Sequence, residues 1–142
     1  LAAVRWPGRF EVLGRHPVFL LDGSHNPQGM AATADSLREL FPDQKFVFLL
    51  SVMADKDVDG MLEILAPLAE RFFTVNADNP RAMPAGELAE KLRALGCAAE
   101  CCTSIPEGVA AAQGAAGYDG RVCALGTLYF SGDVRRAFEH SL

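Results

Sequence analysis

The sequence predicts an α/β domain in three layers, built on a doubly wound, mostly parallel sheet with one antiparallel edge strand. Three observations carry that expectation. Short apolar runs alternate with longer segments of helical periodicity along almost the whole chain. Most of those runs are continuously apolar, as strands buried on both faces require. The first two runs instead flank the short link Gly14-Arg15-His16-Pro17, which suits a hairpin or a pair of sequential strands and so an antiparallel edge.

The elements follow in order. Residues 10–13 and 18–21 are the hairpin pair. Residues 27–41 place Met30, Ala34, Leu37 and Phe41 on one helical face. Asn26 suits the N-cap of that helix, Pro27 its first turn, and Pro42-Asp43 its stop. Phe46–Leu50 is a wholly apolar strand, followed by the loop Ala54-Asp55-Lys56-Asp57. Met61, Leu65 and Leu68 mark a second helix. Residues 72–75 form a third buried strand, which leads into Asn76-Ala77-Asp78-Asn79-Pro80-Arg81. A helix over 84–95 carries Leu88, Leu92 and Leu95 on one face and ends at Gly96. Residues 98–102 make a weaker strand, Ile105–Ala116 a small Ala-rich helix and Arg121–Leu125 a further strand. The segment Gly126-Thr127-Leu128-Tyr129 then precedes a last helix carrying Val134, Ala137 and Phe138.

Length and composition bound the function. A chain of 142 residues favours one domain with a sizeable core. It is 50% hydrophobic and 22% charged, with a net charge of -5, so nothing marks nucleic acid or an anionic membrane as a general partner. No apolar run approaches the roughly 20 residues that span a bilayer. The chain starts at Leu1 without a signal segment, and the expectation is a domain of a longer, cytoplasmic protein. Cys97, Cys101, Cys102 and Cys123 form no CxxC pair and lie far from the histidines. Free thiols are therefore expected, and no metal site.

In a parallel sheet the loops that follow the strands gather along one edge, where ligands bind. Asp22 either orients a cationic group or a metal-bound water, or hydrogen-bonds its own turn. His25 either donates to a carboxylate or phosphate, or is structural at a helix start. Lys56 either pairs with a substrate carboxylate or phosphate, or sits solvated between Asp55 and Asp57. Arg81 can grip a carboxylate with two N–H groups, or lie on the surface. Thr127 and Tyr129 can donate hydroxyl hydrogen bonds, with packing the favoured role of Tyr129. Arg9 follows the turn Pro7-Gly8 and can contact a phosphate. There is no GxGxxG, no GxxxxGK[ST] and no GxSxG run, so phosphate-binding groups for a nucleotide have to come from elsewhere.

Five motifs occur in order: Trp6-Pro7-Gly8-Arg9-Phe10-Glu11, then Leu21-Asp22-Gly23-Ser24-His25-Asn26-Pro27, Asp55-Lys56-Asp57, Asn79-Pro80-Arg81-Ala82 and Gly126-Thr127-Leu128-Tyr129. Together they resemble the C-terminal domain of folylpolyglutamate synthase, often bifunctional with dihydrofolate synthase, in the Mur ligase superfamily. The resemblance covers nearly the whole chain. It implies a Rossmann-like domain, and an N-terminal ATPase domain with a P-loop that this chain lacks. It implies that ATP, with Mg2+ held mainly by that missing domain, converts a folate or dihydropteroate carboxylate to an acyl phosphate, which the amine of L-glutamate attacks. No catalytic residue is implied in this chain alone, and the isolated chain is expected to be inactive and monomeric.

By the same resemblance, His25, Lys56 and Thr127 are the glutamate-binding candidates, and Arg9, Asp22 and His25 the nucleotide-binding ones. Arg81 fits a family-like segment without an assigned role. Thr127 stands where serine is usual, Ser24 where alanine is usual, and Ser51 where glycine is common, which puts a close backbone approach at Ser51 in question. Two alternatives stay open: a peptidoglycan-precursor Mur ligase domain, suggested by Asp78-Asn79-Pro80-Arg81, and a non-catalytic Rossmann-type binding module.

Overall fold

The computed structural model describes residues 4–6 and 10–142. The strands are β1 (Val4–Trp6), β2 (Phe10–Arg15), β3 (Val18–Leu21), β4 (Phe46–Leu50), β5 (Ala69–Thr74), β6 (Ala99–Cys101) and β7 (Arg121–Leu125). The helices are α1 (Pro27–Leu40), α2 (Val58–Leu65), α3 (Ala85–Ala94), α4 (Ile105–Ala116) and α5 (Ser131–His140). The strands form one seven-stranded sheet of order β1-β2-β3-β7-β4-β5-β6. From β3 to β6 all neighbours pair in parallel.

Alternation along the strands makes the three layers. Phe46, Phe48 and Leu50 of β4 join Leu20, Phe72 and Cys123 in one core, closed by Met30 and Leu37 of α1, Met61 and Leu65 of α2, and Leu88 and Leu92 of α3. Val47 and Leu49 point the other way, with Phe19, Phe73 and Val122, onto Val109 of α4 and Val134 and Phe138 of α5. Every residue of β4 is buried, which is why the run carries no polar alternation.

The connections explain where a ligand can sit. The chain leaves β3 through α1 on one face and enters β4, leaving a gap that β7 fills after α4 returns across the other face. The segments after β3 and β4 therefore depart to one face, and the segment after β7, between them, to the opposite face. Such a reversal opens a crevice at the carboxyl ends of the strands.

The predicted architecture is found, with differences in detail. The outermost strand is β1, paired antiparallel to β2 through Val4↔Val12, Arg5↔Glu11 and Trp6↔Phe10. The strand running against the others is thus β2, one in from the edge. Three residues give too little periodicity to mark β1 as a strand. The α2 helix continues as a 3-10 turn, Ala66–Leu68, and feeds directly into β5, which starts at Ala69 rather than near residue 72. Leu95 is not buried with Leu88 and Leu92; it forms the C-cap of α3, where the chain turns away, and is 45% exposed. At the far edge α5 is tied to β2 by Arg135, whose Nε donates at 2.8 Å to the Glu11 carboxylate and whose second nitrogen also donates to it at 2.8 Å. That bonding holds the Arg135 guanidinium above the usual arginine range.

Candidate functional site

Four loops at the carboxyl end of the sheet build one cleft. The loop after β3 is the most tightly fixed. Asp22 extends the parallel ladder, its N–H donating to Ala124 O at 2.9 Å, and its side chain turns inward, where the residue is 4% exposed. Asp22 Oδ2 accepts from Ser24 N and from Thr33 Oγ1 of α1, each at 2.9 Å. Ser24 Oγ also meets Thr33 Oγ1 in a very short contact and donates to Gly29 O at 3.1 Å. The turn is thus locked to the first turns of α1 by a buried polar cluster. Asn26 caps that helix, its Oδ1 accepting from Gly29 N at 2.8 Å. His25 is exposed on the outside of this turn, with its Nδ1 3.0 Å from Gly23 O.

The loops after β4 and β5 are laced together. Ala54 N donates to Arg81 O at 2.7 Å, Met83 N donates to Val52 O at 2.9 Å, and Met53 bridges to Ala82. Ser51, fully buried, accepts from Ala77 N at 3.1 Å. The side chain that stands in place of glycine therefore joins the two loops. The close approach in question at Ser51 is present: a Cβ on Gly126 would lie 2.0 Å from Ser51 O, and Gly126, at φ 117°, permits the contact because it has none.

The aspartates around Lys56 have other tasks. Asp57 caps α2, accepting from Gly60 N at 3.1 Å. Asp55 accepts from Arg81 Nη1 at 3.0 Å. The Lys56 ammonium has no hydrogen-bond or ion-pair partner among the described residues. Arg81 reaches further, its Nη2 donating to Tyr129 Oη at 3.2 Å and its guanidinium lying 5.9 Å from the Tyr129 ring centre. Tyr129 is 54% exposed and is not the packing residue expected from the sequence. The reason is the 3-10 turn Leu128–Phe130, which buries Phe130 and turns Leu128 and Tyr129 outward. Thr127 opens that turn, its Oγ1 accepting from Tyr129 N at 3.1 Å, which leaves the hydroxyl proton available.

His25, Met53, Lys56, Arg81, Thr127, Leu128 and Tyr129 together line a cleft of about 400 Å³. Four of the candidate residues, His25, Lys56, Arg81 and Thr127, thus come together, while Asp22 lies beneath them. Arg9 falls outside the described residues. The cleft presents cations and hydroxyls around a small space, a donor set suited to carboxylates or phosphates. Among the described residues no three of His, Cys, Asp and Glu gather as metal ligands. The four cysteines are free thiols, and burial pushes Cys102 up to about 11.

The family model for the Mur ligase glutamate ligase domain matches residues 8–128. The chain belongs to this family. Its relatives place it with the C-terminal domains of folylpolyglutamate synthases. The dihydrofolate synthase/folylpolyglutamate synthase of Bacillus subtilis (strain 168) is 28% identical over 137 residues, 96% of this chain and 31% of that protein. A solved Mycobacterium tuberculosis folylpolyglutamate synthase, complexed with ADP and AMPPCP, matches at a TM-score of 0.82 and 31% identity, over 96% of this chain and 33% of that one. A bifunctional folylpolyglutamate synthase/dihydrofolate synthase with Mn, AMPPNP and L-glutamate bound matches at a TM-score of 0.82 and 26% identity, over 98% of this chain and 33% of that one. The chain thus spans about a third of the length of the proteins it matches.

This Mur ligase domain also holds site features that sequence reasoning missed. Asp55 and Tyr129 set the position of Arg81, and Met53 and Leu128 supply the apolar walls. Thr33 holds Asp22 from within a helix, where it reads as a mere helix residue. Its one available signal was a hydroxyl on the face of α1 that carries Met30, Ala34 and Leu37, where an unpaired polar group would be costly.

Proposed function

We propose that this domain binds L-glutamate in the cleft formed by His25, Lys56, Arg81 and Thr127, within an ATP-dependent ligase that adds glutamate to folate or dihydropteroate. The observation that carries the reading is the Lys56 ammonium, which has no hydrogen-bond or ion-pair partner among the described residues. A dicarboxylate entering the cleft meets a cation whose neighbouring aspartates are engaged elsewhere, together with the hydroxyls of Thr127 and Tyr129. The relative bound to L-glutamate supports the choice of amino acid.

In this reading an N-terminal domain supplies ATP and most of the Mg2+ ligands, and the acid substrate is activated as an acyl phosphate. The described residues of the cleft offer cations and hydroxyls, which suit the carboxylates of the incoming amino acid. When bound, nucleotide and metal supply the phosphoryl group and neutralise its charge. This domain's residues orient the glutamate amine and, on closing, exclude water from the acyl phosphate. Arg9, Asp22 and His25 are assigned to the nucleotide in this reading, and the protein works as a cytoplasmic monomer.

The test is an assay of the enzyme carrying this domain with ATP, glutamate and either dihydropteroate or a reduced folate. A parallel assay uses a nucleotide-linked muropeptide. The expected result is glutamate-dependent ADP release with the pterin substrates. Turnover with the muropeptide alone would transfer the domain to the peptidoglycan branch.

A further inference from the structure

The turn after β3 fixes more than the place of His25; it fixes which ring nitrogen carries a proton. Nδ1 lies 3.0 Å from Gly23 O. A carbonyl oxygen only accepts, so Nδ1 is the N–H donor, and the lone pair of the neutral ring is left on Nε2. Among the described residues Nε2 has no partner. The ring lines the cleft that holds Lys56 and Arg81. The turn that carries it cannot easily shift, because Asp22, Ser24 and Thr33 lock it to α1.

We propose that His25 Nε2 is the general base that deprotonates the amino group of the incoming amino acid. This rests on the ligase reading above and adds a chemical step to a residue otherwise assigned to binding. The substrate class is an α-amino acid that arrives as its ammonium form. In that form the nitrogen has no lone pair and cannot attack. Nε2 takes one ammonium proton, the freed amine pair forms the C–N bond to the acyl phosphate, and the C–O bond to phosphate breaks. The second proton lost from nitrogen leaves with the phosphate, and the imidazolium returns its own proton to solvent. An imidazole nitrogen with its lone pair free can take such a proton and pass it on to solvent.

The other titratable groups around the cleft are placed for different tasks. Lys56, from the loop after β4, and Arg81, from the loop after β5, are cations that hold carboxylates. Asp55 is occupied by Arg81, Asp22 lies buried beneath the turn, and the Tyr129 hydroxyl accepts from Arg81. His25 alone among the cleft-lining residues combines a free acceptor nitrogen with a fixed tautomer.

The experiment compares the wild-type enzyme carrying this domain with His25→Gln, at saturating glutamate, over a range of pH. His25 is exposed, so the variant folds, which an unchanged melting temperature verifies. The expected loss in kcat is about 100-fold or more. It shrinks as the pH rises toward the amino group's own pKa, because free amine then arrives without help. Hydroxylamine, already unprotonated at neutral pH, traps the acyl phosphate, and hydroxamate formation falls far less than amide formation. A deficit confined to the glutamate KM, or one that stays constant with pH, would overturn the base role while leaving the ligase reading intact. A wild-type enzyme that forms neither amide nor hydroxamate would overturn the ligase reading, and this inference with it.

Discussion

Arg81 and Asp55, on loops that follow different strands, are joined by a 3.0 Å hydrogen-bonded ion pair at the mouth of the cleft. The pair does two things at once. It holds the Arg81 guanidinium against Tyr129, and it takes up the one aspartate beside Lys56 that does not cap a helix. The pattern Asp55-Lys56-Asp57 looks self-neutralising in sequence and is not so in space.

The pair is half exposed, and exposed ion pairs contribute only about 0–1 kcal/mol. Arg81→Ala should therefore leave thermal stability nearly unchanged while raising the glutamate KM of the enzyme that carries this domain. Differential scanning fluorimetry beside steady-state kinetics checks both halves. A large loss of stability would show that Arg81 serves the fold rather than the cleft.

The Asp22 cluster makes the opposite prediction. Thr33→Val keeps the shape of the side chain but removes a donor to a buried carboxylate. It should destabilise the domain by about 1–3 kcal/mol in urea unfolding. Thr33→Ser keeps the hydroxyl and should cost far less. Equal stability of the valine variant would mean that the hydroxyls do not hold the turn.

Gly126 sits where the chain from β7 passes Ser51. Its φ of 117° and the 2.0 Å approach of Ser51 O leave no room for a methyl group. Gly126→Ala should destabilise by more than about 2 kcal/mol. Gly114 in α4 meets nothing within 4 Å, and Gly114→Ala should stabilise by about 0.5–1 kcal/mol. Chemical denaturation of the two variants side by side gives the contrast.

The Cys102 thiol predicts an alkaline weakness. Burial, assisted by the nearby Glu107, raises it from 9.0 to about 11. Between those values the unfolded chain loses the proton while the folded chain keeps it. This contribution is therefore full below pH 9 and is lost as the pH rises towards 11. The loss is of order 2 kcal/mol. The difference in unfolding free energy between wild type and Cys102→Ala should narrow across that window. Iodoacetamide should label exposed Cys101 in the folded protein long before buried Cys102 and Cys123.

Much of this was legible before folding. The run Phe46–Leu50 declared a strand buried on both faces because none of its residues is polar. Asn26-Pro27 announced a helix start, and the asparagine caps α1 as its type suggests. His25, Lys56, Arg81 and Thr127 could be gathered in advance because each follows a strand in an α/β pattern. What stayed hidden depends on pairs distant in sequence. Arg81 finds Asp55 across 26 positions and Tyr129 across 48, and no local pattern encodes either meeting. The outward turn of Tyr129 was invisible for a related reason. The choice between Tyr129 and Phe130 as the buried aromatic is made by the short 3-10 turn after Thr127 and by the core beneath it.

The central claim is that the Lys56 ammonium, without a partner among the described residues, receives a carboxylate of the incoming glutamate. The measurement that tests it most directly is the KM for each substrate of the Lys56→Ala enzyme. A charge-assisted hydrogen bond of about 1.5–3 kcal/mol corresponds to roughly a 10- to 100-fold rise in the glutamate KM. The account predicts that rise with the folate KM unchanged. An equal rise in both, or none in the glutamate KM, would contradict it.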